Sequence, residues 1–422
     1  MHHFVYKNRV LHAEDVPVPR IAADVGTPFY CYSTATLTRH YKVFKAGLDG
    51  LDADICFAVK ANGNLAVLKI LADLGAGADV VSGGELQLAL HAGMAAEKIV
   101  FSGVAKTDEE LRLALNSNIG QINVESEAEL RALSAIASSM NKTVRIALRV
   151  NPDVDAGSHD KISTGRKTDK FGVDWTLAPA LYRLARDLPG LNPAGVAVHI
   201  GSQITDLAPF EAAFLRVRDL VLILRGEGFD ITHLDLGGGL GVPYSHHGAS
   251  PPSPGEYGEM VRRTVGDLGC KLAFEPGRVI AGNAGILVAM VIFVKETPER
   301  RFVIVDAGMN DLIRPAMYGA HHDIIPVNEA PLHEGLTPAD VVGPVCETGD
   351  RFAQDCMLPP MASNDLMSLL TAGAYGAVMA STYNARPLIP EVLVDGNRFA
   401  VIRRRATFEE MIALEQAPKW SG

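Results

Sequence analysis

The chain has 422 residues, 48% hydrophobic and 21% charged, which is the composition of a globular protein with room for two domains and ample core. Its net charge of -10 opposes non-specific nucleic-acid binding, and no basic run suggests a phosphate-backbone groove, so nucleic acid is not an expected partner. Five scattered cysteines (Cys31, Cys56, Cys270, Cys346, Cys356) without a C-x-x-C pair read as reduced thiols; with neither the apolar core of a signal peptide nor a run near the ~20 residues that span a bilayer, a cytoplasmic chain without a membrane partner is expected.

The first 33 residues, with Pro17, Pro19 and Pro28, precede the repeating part of the chain and are expected to join a later β-rich region. From about residue 54 onward, β-rich runs alternate with helical patterns. The strand candidates are 55–60, 78–82, 98–103, 121–125, 144–150, 195–201, 231–237 and 271–275. Between them lie amphipathic stretches such as Gly84–Ala92, Thr107–Leu115 and Glu127–Leu133, several with Ser, Thr, Asp or Glu in cap-like positions. Eight strands with crossover helices are the number that closes a (β/α)8 barrel, here over residues 34–280. A doubly wound open sheet is the competing arrangement, but it usually has fewer strands, so the barrel is preferred. Beyond residue 280 the runs 285–294, 301–306 and 391–395 lack crossover helices, which predicts a separate, mainly β domain over 281–422.

A barrel carries its chemistry at the C-terminal ends of its strands. At those ends this sequence places Lys60, then Asp79-Val-Val-Ser82-Gly-Gly-Glu85, His199-Ile-Gly-Ser202-Gln203, Gly237-Gly238-Gly239 and Glu275-Pro-Gly277-Arg278. Lys60, ending an apolar strand, is expected to have a desolvated amine of the kind a Schiff base needs, although a solvent-reaching lysine has the same pattern. Gly237–Gly239 could bring backbone N–H groups close to an anion or could simply form a tight turn. His199 taken alone suits a buried, satisfied imidazole, and Glu275 a salt bridge to Arg278. Jointly, a Schiff-base lysine, an anion cradle, an imidazole and a carboxylate match the needs of pyridoxal 5′-phosphate (PLP). The pairs His246-His247 and His321-His322 have no carboxylate cluster beside them in the sequence, so no metal is expected.

The resemblance becomes specific in Phe57-Ala-Val-Lys60-Ala-Asn62, His199-Ile-Gly-Ser-Gln203, Gly237–Gly239 and Glu275-Pro-Gly-Arg278. Arg314-Pro-Ala-Met-Tyr318, Cys346-Glu347-Thr-Gly-Asp350, Ala372-Gly-Ala-Tyr375-Gly and Tyr383-Asn-Ala-Arg386 continue it. The ordered set spans nearly the whole chain. It resembles the diaminopimelate decarboxylase family of fold-type III PLP enzymes, the alanine-racemase-like barrel class, whose members convert meso-diaminopimelate to L-lysine and CO2. The resemblance implies that Lys60 carries PLP and that His199 stacks on its ring. It implies that Ser202, Gly238, Gly239, Gly277, Arg278 and Tyr375 hold the phosphate. Glu275 would face the pyridine nitrogen, where racemases of the class usually place an arginine, and so favours decarboxylation. Arg278, Arg314, Tyr318 and Tyr375 would bind a substrate with a second carboxylate, Glu347 would take its distal ammonium, and Cys346 would reprotonate the carbanion. Taken by itself, Cys346 suits a small buried hydrophobe. Relatives also imply a homodimer in which the Cys346 segment reaches the neighbouring subunit's site. Decarboxylases acting on ornithine, arginine, carboxynorspermidine or a carrier-bound amino acid are the nearest rivals, and a silent PLP-binding homologue is a further one. The segment 153–170, rich in Gly, Asp and Lys, suits a mobile lid.

Overall fold

A computed structural model of the chain describes residues 2–155, 164–165, 169–245, 250–329, 335–418 and 420. Most of the expected lid, and His246-His247, lie outside the described residues. The chain divides into two compact units. One holds residues 37–243 and 248–281; the other holds 1–36, 244–247 and 282–422.

In chain order, a small antiparallel sheet comes first, of β1 (Phe4–Lys7), β2 (Val10–Ala13) and β3 (Val16–Pro17), followed by β4 (Phe29–Ser33). The larger unit then supplies β5 (Ala53–Ala58), β6 (Gly77–Val80), β7 (Ile99–Phe101), β8 (Gln121–Val124), β9 (Val144–Asn151), the two-residue β10 (Val173–Asp174), β11 (Leu191–Ala197), β12 (His233–Asp235) and β13 (Lys271–Phe274). All pairings among them are parallel, and β8 with β9 and β13 with β5 close the ring, so the eight-stranded barrel is present, with β10 as an appendage on β9. An open doubly wound sheet is thereby set aside.

Helix starts follow the sequence signals. Ser82, Thr107 and Ser126 each accept the N–H three residues on, and Thr107 with Glu110 forms a complete capping box. Outside the strands, Tyr257 is buried edge-on against Phe210 (centroids 5.2 Å) and Phe274 (5.9 Å), aromatic packing that holds helices onto the barrel.

The smaller unit adds β14 (Gly285–Glu296), β15 (Arg301–Val305), β16 (Ile324–Pro326), β17 (Thr337–Val342), β18 (Arg351–Leu358), β19 (Leu366–Leu369), β20 (Glu391–Asp395) and β21 (Arg398–Arg403). β4 lies between β14, antiparallel to it, and β20, parallel to it. Phe4, Leu11, Val16, Phe29, Ile286, Val288, Val392 and Val394 share one core, so the N-terminal residues are bound to this unit by apolar burial. The sequence predicted β14, β15 and β20 because their apolar runs are long. It missed β16, β17, β18, β19 and β21, which are short or have exposed, polar faces.

Candidate active site

The chain leaves β5 two residues before Lys60. Val59–Ala61 forms a single 3-10 turn, closed by the Asn62 N–H on the Val59 carbonyl at 3.0 Å, and Asn64 caps the next helix through the Ala66 N–H at 3.0 Å. Lys60 therefore projects from a turn fixed by two asparagines, and not from the strand itself. Its side chain is 35% exposed and its Nζ is paired with the fully buried carboxylate of Asp79, at the start of the β6 exit. The expectation of a simply desolvated amine is corrected: an ion pair holds this amine in place. Glu85 stands close behind, its carboxyl raised by burial while accepting the Val81 N–H at 2.8 Å.

The glycine run is packed where side chains cannot fit. A Cβ on Gly238 would meet the Glu275 carbonyl oxygen at 2.1 Å, and one on Gly239 the Gly201 oxygen at 2.5 Å, with φ +114° at Gly239. The loop after β12 is thus pressed against the ends of β11 and β13. Here the Gly238 N–H donates to His199 Nδ1 at 3.1 Å, fixing Nδ1 as the acceptor of a neutral ring. Burial and the nearby cations Arg149 and Lys60 hold the imidazole well below its usual pKa. Beside it, buried Arg278 donates to Ser202 Oγ at 3.0 Å. A hydroxyl, a guanidinium and side-chain-free backbone form the donor set a phosphate dianion requires.

Within the barrel, Glu275 faces acids more than bases. Its carboxyl approaches Ser102 Oγ at 3.4 Å; burial and the charges of Asp235 and Asp79 raise its pKa well above the ordinary range, against the opposing effect of Lys60. Asp235 Oδ2 accepts from Asn123 Nδ2 at 2.6 Å and its Oδ1 from the Gly237 N–H at 3.0 Å, while Asn123 also donates to Ser102 at 3.1 Å. Ser102, Asn123 and Asp235 were given no role by the sequence. The signal was there: polar Gln121, Asn123 and Glu125 alternate along one strand, and all three are buried.

In the smaller unit, Arg314 is buried, donating to His322 Nε2 at 2.8 Å with its guanidinium 4.5 Å above the Tyr244 ring. His322 Nδ1 bonds the Leu370 carbonyl at 2.8 Å, so Arg314 is held by an imidazole that is itself oriented. His321 instead pairs with Asp323 at 2.7 Å. Tyr318 is half-buried at the end of the same short helix, Arg314–Tyr318. Asp350 folds the next segment by accepting the Val345 and Met309 N–H groups, both at 2.6 Å. Cys346 and Glu347 lie exposed on that loop, with Glu347 accepting from Tyr383 Oη at 2.7 Å. The exposure of Cys346 removes the buried-hydrophobe explanation for it. Tyr375 is half-buried with φ +56°, a conformation uncommon for a bulky residue.

The chain is similar to known proteins over nearly its whole length. Residues 34–282 match the family model described as the pyridoxal-dependent decarboxylase, pyridoxal binding domain. The chain is 48% identical to the diaminopimelate decarboxylase of Zymomonas mobilis over 99% of both chains. It superposes on the Helicobacter pylori diaminopimelate decarboxylase complexed with L-lysine with a TM-score of 0.90 and 40% identity, covering 94% of this chain and 98% of that one. For the M. jannaschii enzyme in co-complex with L-lysine the TM-score is 0.93, at 35% identity and 99% coverage of both chains. The chain belongs to the diaminopimelate decarboxylase family of pyridoxal-dependent decarboxylases.

Proposed function

We propose that the protein converts meso-2,6-diaminopimelate to L-lysine and CO2, the closing step of lysine biosynthesis. One observation carries this reading: an amine at the barrel mouth, Lys60, and a buried carboxyl after β13, Glu275, occur in a chain alike over its full length to diaminopimelate decarboxylases. PLP supplies the carbonyl that captures the substrate amine and the ring that takes up the electron pair left when CO2 departs. The residues present fit it: the Gly238–Gly239 cradle has no room for side chains, and Ser202 with the backbone near Gly277–Arg278 would provide donors for its phosphate.

In this reading Lys60 Nζ would hold the cofactor and would move protons at the reacting carbon. Asp79 positions that nitrogen and receives no part in the bond changes. His199, neutral and anchored through Nδ1, packs against the ring without adding charge. Gly277 and Tyr375 add to the phosphate hold. Glu275 would hold a proton at the ring nitrogen. Arg278, Arg314 and Tyr318, with Tyr375, bind the distal carboxylate. A guanidinium reads a carboxylate in a fixed plane, whereas a diamine-type substrate would have no use for Arg314. Glu347 would take the distal ammonium, and the exposed Cys346 thiol would return a proton to the reacting carbon.

A homodimer, with the Cys346 loop serving the neighbouring subunit's site, completes the proposal; full activity in a strictly monomeric preparation contradicts it. Cytoplasmic location is part of the same reading, and among the described residues no helix is long and apolar enough to cross a membrane. The substrate assignment is tested with Arg314→Met. Loss of its charge-assisted hydrogen bonds, about 1.5–3 kcal/mol, should lower kcat/KM for diaminopimelate roughly 10–100-fold with cofactor content unchanged. Unaltered kcat/KM removes Arg314 from the site.

A further inference from the structure

The barrel interior holds more carboxylates than its cations balance. Asp79, Asp235 and Glu275 converge from β6, β12 and the residue after β13, and among the described residues the cation facing them is Lys60, which Asp79 already pairs. The other titratable groups facing this cluster are Glu85, near Asp79 and Lys60, the thiol of Cys56 on β5 and the phenol of Tyr257 on the helix Pro254–Val265, all three pushed toward their neutral forms by burial. A hydrogen-bond chain joins Glu275 to Asp235 through Ser102 (3.4 Å) and Asn123 (3.1 and 2.6 Å), and burial with the charges of Asp235 and Asp79 raises Glu275 well above the ordinary carboxyl range, so one of the two carboxyl groups keeps a proton.

The fixed donors decide where that proton resides. Asp235 receives the Asn123 amide at 2.6 Å and the Gly237 N–H at 3.0 Å, donors locked by the β8 and β12 backbones. Glu275 has Ser102 at 3.4 Å, a longer and weaker contact. Hydrogen bonds to a charged form favour it, so the negative charge belongs on Asp235 and the proton on Glu275.

We propose that Asp235 is a positioning residue for Glu275: its fixed negative charge keeps a proton on Glu275 in the cofactor-free barrel, ready for transfer to the ring nitrogen of PLP. On binding, the O–H bond of Glu275 breaks and an N–H bond forms at the ring, with the electron pair left on the carboxylate. No proton is drawn from solvent for this step. Asp235 remains ionised and, by repelling the new Glu275 carboxylate, raises the proton affinity of the Glu275–ring pair. The proposal rests on the PLP reading above.

Asp235→Asn separates the two. Its amide would carry no charge to keep the proton on Glu275, so the cofactor-free barrel would lose its stored proton. Calorimetric titration of apoenzyme with PLP, in buffers of different ionisation enthalpy at one alkaline pH, counts protons taken up per site. Uptake in Asp235→Asn should exceed that of the unsubstituted protein by about one proton, since lysine and aldehyde chemistry cancels in the difference. Equal uptake overturns the proposal and leaves the cofactor assignment intact; no PLP binding to the unsubstituted protein overturns the assignment. If the variant does not fold, infrared difference spectra of the unsubstituted protein decide. Loss of a carboxylic-acid C=O band on PLP addition is expected, and an unchanged band overturns the proposal.

Discussion

Replacing Gly238 by alanine tests the packing on which the proposed cofactor cradle depends. The new Cβ would lie 2.1 Å from the Glu275 carbonyl oxygen and 3.0 Å from its carbon. Ordinary contact begins at 3.4 Å, so the loop and the end of β13 must part by about 1.3 Å. Neither side can yield locally: the obstructing atoms are backbone, and the Glu275 N–H is bonded to the Gly237 carbonyl at 2.8 Å. The displacement therefore carries Glu275 and Gly239 with it. A 1 Å misplacement of a reacting group can cost on the order of 10²-fold in rate, and overpacking of this kind destabilises by about 1–3 kcal/mol. The expected result is roughly 10²-fold lower kcat/KM with weaker PLP retention, measured by turnover and by absorbance after dialysis. Gly226→Ala is the control, because nothing lies within 4 Å of its added methyl, and its turnover should stay unchanged. A Gly238→Ala enzyme within about threefold of the unsubstituted protein in both quantities refutes the cradle.

Two further expectations concern the thiol and the far end of the barrel. Cys346→Ser should lower kcat by about 10²–10⁴-fold if Cys346 is the principal acid, and a loss under about tenfold in a turnover assay assigns that proton elsewhere. His233, at the start of β12, accepts from Arg145 at 2.8 Å; burial first, then Arg145 and Lys271, lower its pKa to about 4, against Asp52 and Asp54. The unfolded chain takes up this proton as pH falls below about 6.5, while the native state does so only near 4, so the contribution to stability is lost on acidification across that window. A fully shielded ring would lose about 3 kcal/mol; for this half-buried one roughly 1–2 kcal/mol is expected. Urea titrations of the protein and of His233→Gln should converge as pH drops from 7 toward about 4.5. A constant gap between them contradicts the assignment.

The barrel was legible because its signals are local. Runs such as Gln121–Val124 and Val144–Asn151 are short, β-rich and separated by helical stretches, and their order fixes the parallel ring. The strand ends were less so. Lys60 was expected to end β5 and instead sits in a turn built by Asn62 and Asn64, since side-chain caps compete with the ladder in a way that periodicity does not register. The sequence marked Lys60, His199, Ser202 and Arg278 as a set, and the structure brings Arg278 to Ser202 and Gly238 to His199. It could not mark the Asp79 ion pair or the Asn123–Asp235 bond, which join residues far apart in sequence through barrel closure. β17 and β18 escaped notice because their pairing compensates for weak apolar patterning with backbone bonds.

The most direct test of the assigned reaction is to supply the purified protein with PLP and meso-diaminopimelate and to measure CO2 and lysine together. Equimolar lysine and CO2 from the meso isomer, with ornithine and arginine left untouched, is the predicted result. CO2 from ornithine or arginine, with no lysine from meso-diaminopimelate, would contradict it.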